Sequence, residues 1–171
     1  MAFLRGEIFR IVSLFSSSYK IGKKIRIYSS VNMNCRNKSK LIVGNDVKIN
    51  RNTTISSLNG GTLTIGSHAG IGEGNIIVCH DSIQIGDGTI LAPHVYIYDH
   101  DHKFGHGSGV NTKEYRTSPV AIGKNCWIGA NTVILRGTII GDNCVIGAGS
   151  VIKGEIKPNS KVIQKREQFL I

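Results

Sequence analysis

The chain has 171 residues, 40% of them hydrophobic and 19% charged, which supplies one domain with a continuous core and excludes a disordered segment. Lys and Arg number 21 against 11 Asp and Glu, a net charge of +10 that favours anionic partners: phosphorylated cofactors, nucleotide sugars, an anionic membrane surface or nucleic acid. Aromatic residues make up only 6% and follow no stacking pattern, which sets nucleic-acid binding aside.

Residues 1–20, MAFLRGEIFRIVSLFSSSYK, place Leu4, Ile8, Ile11 and Phe15 at helical spacing. The segment reads as a short amphipathic helix that caps the first coil of the repeat region beginning at residue 21, since an uncovered sheet end exposes unpaired edges. The second reading is peripheral membrane contact through a basic amphipathic face. Glu7 and Arg10 interrupt what would be a signal-peptide core, no small-residue cleavage site is present, and the run is too short to span a bilayer. The expected location is the cytoplasm, with membrane contact, if made, at its inner face.

From residue 21 to 157 one period dominates. It is clearest between Ile122 and Gly154, where Ile122, Ile128, Ile134, Ile140, Ile146 and Ile152 recur every six residues. Gly follows the anchor at Gly123, Gly129, Gly141 and Gly147, and a small residue sits four places after it at Cys126, Thr132, Thr138, Cys144 and Ser150. That period is neither helical nor a simple strand alternation; it is the hexapeptide repeat of a parallel β-helix. Each hexapeptide supplies one short strand and one corner, and three complete a turn. Anchors should then stack at about 4.8 Å, Ile122 on Ile140 and Ile128 on Ile146.

The register extends back through Ile85, Leu91 and Ile97, then Ile65, Ile71 and Ile77, then Val43, Ile49 and Ile55, to Ile21, Ile27 and Met33, giving about six coils. The step between coils lengthens to 10 from Met33 to Val43, 10 from Ile55 to Ile65, 8 from Ile77 to Ile85 and 25 from Ile97 to Ile122. Every excursion leaves from the same corner, and the long one, 98–121, is where function is expected, because loops on a rigid scaffold carry it. The repeat is expected to end after Ile156 with Pro158 as the exit, leaving 158–171 as a short strand and a tail made basic by Lys161, Lys165 and Arg166.

Between Gly22 and Lys48 the charges are Lys and Arg opposed only by Asp46, so one end of the solenoid is basic, ordinarily solvated surface. Cys35, Cys79, Cys126 and Cys144 form no CxxC pair; the last two, one coil apart, fill the slot of Thr or Ser and read as small reduced core residues. The insertion opens YIYDHDHKFGHG and crowds His100, His102 and His106 together, side chains suited to general-base work near neutral pH. A zinc lyase of the γ-carbonic anhydrase type would need an H-x4-H pair, and His68, His80, His94, His100, His102 and His106 offer none, so no metal is expected.

Tyr98 through His102, Glu114, SPVAIG from Ser118 to Gly123, Trp127 in NCWIG and VIGAGSVIKG from Val145 to Gly154 resemble the left-handed β-helix hexapeptide acyltransferases. Within that family the galactoside, maltose and polysaccharide O-acetyltransferase branch is the nearest, and the resemblance is strong from about Ile65 to Pro158. It implies an all-β, left-handed coil, against the usual handedness of parallel crossovers. It also implies a homotrimer binding acetyl-CoA in a groove between two subunits. Carried over residue by residue, His102 takes the catalytic position with His100 as the alternate base, Glu114 is the helper carboxylate, and Trp127, Ala130, Ala148 and Lys153 line the pantetheine arm, Lys153 suiting a phosphate. Lys103 stands where the family often has Pro, and QKREQFLI from Gln164 replaces the usual Gly-x-Pro-Ala tail. The implied activity is acetyl transfer from acetyl-CoA to a hydroxyl of a sugar or surface-glycan precursor in polysaccharide biosynthesis, with a His base and no covalent enzyme intermediate. Two alternatives stay open: N-acetylation of a nucleotide-linked amino sugar, and a non-catalytic trimeric β-helix used as a binding module.

Overall fold

A computed structural model describes residues 1–105, 107 and 109–165. His106 and Arg166 lie outside the described residues. The chain winds into a left-handed parallel β-helix of about six turns, its strands stacked into three walls of seven, seven and six. The first wall begins at Tyr19–Ile21, the second at Arg26–Ile27 and the third at Asn32–Cys35. The ladder registers put anchor on anchor: Ile21 beside Val43, Ile85 beside Ile122, Ile122 beside Ile140, Ile128 beside Ile146 and Ile134 beside Ile152. From Ile49 to Ile152 the anchors are buried, each contributing about 1.5–3 kcal/mol of transfer free energy.

The corners explain the rest of the repeat. A Cβ at Gly123 would lie 2.6 Å from the backbone N of Asp142 in the next coil, so this corner, after an anchor of the first wall, has room only for Gly. Three places after the anchor the backbone turns left-handed at Asn125 (φ 54°), Asn143 (φ 59°) and Asn159 (φ 63°), a conformation Asn tolerates through local side-chain bonding. His68 (φ 61°) occupies that same corner slot in an earlier coil and His94 (φ 58°) the equivalent slot at the corner between the second and third walls, which accounts for both as turn residues. Cys126 and Cys144 are buried free thiols, each bonding a carbonyl of the next coil, Gly141 O at 3.1 Å and Lys157 O at 3.2 Å.

The solenoid runs past the end expected for it. Lys161–Val162 pairs in parallel with Val145–Ile146, and Asn159 makes a regular corner, so Pro158 stands inside a corner and the tail begins after Val162 rather than at 158. At the other end the helix is shorter than 1–20: it spans Ala2–Ser13, and Tyr19 already belongs to the first wall. It packs on the first coil through Gly6, where a Cβ would collide with the carbonyl of Ile25, and through Phe9, whose ring meets Tyr19 edge to face at 5.4 Å. Leu4, Ile8, Ile11 and Phe15, the stripe the sequence singles out, point outward and are exposed.

All four excursions leave the corner between the third and first walls. The longest is an antiparallel ribbon, His100–Gly105 against Gly109–Thr117, with a register shift between His102 and Lys103. Its neck is closed by Ser118 N donating to Asp99 O at 2.9 Å and is tied to the coil below by Gly137 N donating to Ser118 O at 3.1 Å.

Candidate active site

Strand parity builds the centre of the site. Ile97 points into the core, Tyr98 out, and Asp99 in again, just where the third wall gives way to the ribbon. Asp99 is therefore a carboxylate with no solvent exposure, and its oxygens are saturated: His80 N donates to Oδ1 and Oδ2 at 2.9 and 3.0 Å, Asp81 N to Oδ2 at 2.7 Å, and His100 Nδ1 lies 3.1 Å from Oδ1. Burial alone would raise the Asp99 pKa; the hydrogen bonds from His100, His80 and Asp81 outweigh it and hold the group below its ordinary value. A buried carboxylate only accepts, so His100 carries its proton on Nδ1 and presents Nε2 as the basic nitrogen. The neighbouring Cys79 thiol, pushed up to about 12 by burial and by Asp99, stays protonated.

Three imidazoles and one phenol ring gather around this carboxylate. His80 stacks on His100 with centroids 3.8 Å apart and planes 12° from parallel. Tyr115, opposite His102 in the ribbon, stands edge-on to His80 at 4.3 Å and lies 4.8 Å from the His102 ring. Burial and the neighbouring imidazoles lower the His80 pKa, against the pull of Asp99. Asn59 Nδ2 donates to His80 Nδ1 at 3.1 Å, which leaves the His80 proton on Nε2. His80 and His100 are largely buried, whereas His102 is exposed at the foot of the ribbon.

Glu114 does not join this group. Its carboxylate takes a 2.8 Å hydrogen bond from Lys103 Nζ, and that bond and charge hold its pKa down. At the foot of the ribbon the carboxylate that orients an imidazole is Asp99, and the imidazole is His100. Asp101 is paired with Arg136 of the following coil, fastening the ribbon to the solenoid. Sequence reasoning passed over Asp99, His80, Tyr115 and Arg136; for Asp99 the signal available was parity, two residues beyond the anchor Ile97.

The residues carried over for a pantetheine arm divide between two corners. Ala130 and Ala148 stack at the corner between the second and third walls, where Gly149 N donates to Ala130 O at 2.7 Å, and Trp127 lies exposed on the second wall between Ile90 and Val145. Lys153 follows Val151–Ile152 of the third wall and sits at the ribbon's corner, two coils on. Among the described residues, no group of three or more His, Cys, Asp or Glu is arranged to hold a metal ion.

Comparison with known proteins agrees with this architecture. Residues 119–153 match the family model "Hexapeptide repeat of succinyl-transferase". A probable acetyltransferase of Mycobacterium tuberculosis is 32% identical over 155 residues, 86% of this chain and 50% of its own length. The chain spans about half the length of the curated relatives it matches, 42% to 56% among four of them. The crystal structure of a maltose O-acetyltransferase from Clostridium difficile is 30% identical, with 96% of this chain and 75% of that one covered and a TM-score of 0.57. An N-acyltransferase from Bacillus cereus, solved with dTDP-4-amino-4,6-dideoxyglucose and coenzyme A, shares the fold at 21% identity and a TM-score of 0.71, covering 90% of this chain and 81% of that one. Repeat, coil and sequence similarity extending over most of a solved relative agree, and the chain belongs to the hexapeptide-repeat acyltransferases.

Proposed function

We propose that this chain transfers an acetyl group from acetyl-CoA to a hydroxyl of a sugar or surface-glycan precursor, with His102 as general base. The observation that carries the reading is the exposed His102 imidazole at the foot of the ribbon, next to a buried Asp99–His100–His80 cluster that fixes the ribbon's base. The acceptor oxygen attacks the acetyl carbonyl, the C–O bond forms as the C–S bond breaks, and the hydroxyl proton passes through His102 to the departing thiolate, giving free CoA thiol. Proton transfer of this kind typically contributes about a hundred- to ten-thousand-fold. Tyr115 packs beside His102 and separates it from the buried pair. Transfer to oxygen is favoured by the similarity to a maltose O-acetyltransferase.

The division of Ala130 and Ala148 from Lys153 and His102 between two corners supports a homotrimer, in which the ribbon corner of one copy faces the Ala corner of the next. The test is an acceptor panel with acetyl-CoA and free-thiol detection, run on folded His102→Ala and His100→Ala. His102→Ala should lower kcat at least about a hundredfold with acetyl-CoA binding retained, and His100→Ala should cost much less. If His100→Ala is the dead variant, the base is His100; if neither is impaired, the acyltransferase reading fails.

A further inference from the structure

The N-terminal helix presents its bulkier side to solvent. At about 100° per residue, Leu4, Ile8 and Ile11 form one stripe, Phe15 in the turn after the helix adds to it, and each is at least half exposed. The opposite face, with Gly6, Phe9 and Ser13, is the one seated on the solenoid. Ile8 and Val12 continue the apolar surface into an open cleft of about 510 Å³ whose far side includes Val31 and Met33. A helix recruited only to close the coil would turn most of its large side chains inward; this one seats Gly6, Ser13 and the single ring of Phe9 and leaves Leu4, Ile8 and Ile11 outside. Contiguous exposed apolar surface of this kind marks an interaction site.

Charge identifies the partner. The first 40 residues hold nine Lys and Arg against Glu7 alone, eight of the chain's ten net positive charges. Lys23 and Lys24 are exposed in the turn leading to Ile25, the residue beneath Gly6, and Arg26 shares a cleft with Met1, Phe3 and Arg5. A second copy of this chain would bring the same cations against themselves. A surface that is apolar below and anionic above matches both features at once, and no described helix is long and apolar enough to cross a membrane. The geometry points to the helix and the basic first coil together as a peripheral docking surface for an anionic phospholipid bilayer, the helix lying in the interface with Leu4, Ile8, Ile11 and Phe15 inserted. This goes beyond the proposed chemistry and does not depend on it.

Flotation of the full chain with vesicles of phosphatidylcholine alone, and of phosphatidylcholine mixed with phosphatidylglycerol, tests the proposal. The chain should float with the mixed vesicles and not the neutral ones, and raised salt should weaken the binding. The double variant Leu4→Asp with Ile11→Asp should lose it, while Lys23→Ala and Lys24→Ala should each lower vesicle affinity about fivefold. All these positions are exposed and outside the acetyl-transfer residues, so thiol release with a soluble acceptor should be unchanged, which separates failure here from failure of the catalytic reading. No flotation of the wild-type chain overturns the proposal, as does flotation indifferent to the helix variant. A helix variant that changes only the particle mass in light scattering also overturns it, making the stripe a contact between copies.

Discussion

Replacing Asp99 by Asn removes one charge without changing shape, at a position with no solvent exposure. The carboxylate receives hydrogen bonds from His80 N, Asp81 N and His100 Nδ1, all at 3.1 Å or less. An amide keeps one oxygen. If that oxygen stays with His80 and Asp81, the new NH2 group faces the His100 Nδ1 proton and the imidazole must change tautomer. If the amide turns over, its oxygen keeps His80 N and His100 Nδ1 but the NH2 group meets the Asp81 N–H, which loses its acceptor. An unsatisfied buried group costs about 1–3 kcal/mol and bonds to a charged acceptor somewhat more, while losing a buried charge returns part of its desolvation cost. The net destabilisation should be about 2–4 kcal/mol, or roughly 5–12 °C in Tm for a domain of this size. Thermal and urea unfolding of both proteins at one protein concentration measures it, because association would otherwise shift Tm. Imidazole nitrogen NMR supplies the second readout: the His100 tautomer should change and that of His102 should not. A variant within about half a kcal/mol of the wild type, with the His100 tautomer unchanged, would refute the assignment of Asp99 as the group that positions the ribbon's base.

His80 should make stability fall on the acid side before the carboxylates titrate. Its folded pKa lies below its ordinary 6.5, so between that value and the lowered one the unfolded chain binds more protons, and stability present above 6.5 is lost as pH drops through the window. His80→Gln should flatten that limb in denaturation curves taken between neutral and mildly acid pH. Lys153→Ala should raise the KM for acetyl-CoA by the equivalent of about 1–3 kcal/mol with little change in kcat, since a phosphate contact serves ground and transition states alike; unchanged kinetics would remove Lys153 from the site. If ribbon and Ala corner meet across subunits, mixing and reassembling inactive His102→Ala with inactive Ala148→Trp in equal amounts should restore about a quarter of wild-type turnover, because one interface in four then pairs an intact base with an intact groove. A site contained within one chain would stay dead in the mixture.

The coil was legible because its information is repeated: the anchors from Ile49 to Ile152 each state the same stacking rule, and the ladder pairs them accordingly. The corner shared by all four insertions came from the same arithmetic. Single contacts have no such redundancy. Glu114 as the helper of His102 came only from the resemblance, and the ribbon's register shift between His102 and Lys103 is a local event that no period encodes; within the chain Glu114 bonds Lys103. The helix and its seat on the first coil were legible, but its facing was not. Leu4, Ile8, Ile11 and Phe15 make an apolar stripe whose spacing is plain, but spacing does not say whether a stripe faces the core, and the close approach of Gly6 to Ile25 turned it outward.

Asp99 joins the two levels. Up to Ile97 the third wall alternates as the repeat dictates, and the next inward position holds a carboxylate where earlier coils carry Ser57 and Cys79, at Cα positions paired through the wall. A lone buried carboxylate would be strongly unfavourable, so this one can persist only because backbone amides of the preceding coil, at His80 and Asp81, already point at it. Those amides sit in the two-residue link between Ile76–Cys79 and Ser82–Ile85, held at both ends by the ladders of the preceding coil, and His100 takes its orientation from the same carboxylate. The rigidity of the solenoid thus passes into the ribbon through one side chain. His102 is two residues further on and Asp101, between them, is held by Arg136 from the following coil, so the exposed imidazole stands on a base anchored from both neighbouring coils even though it has no carboxylate of its own among its described contacts.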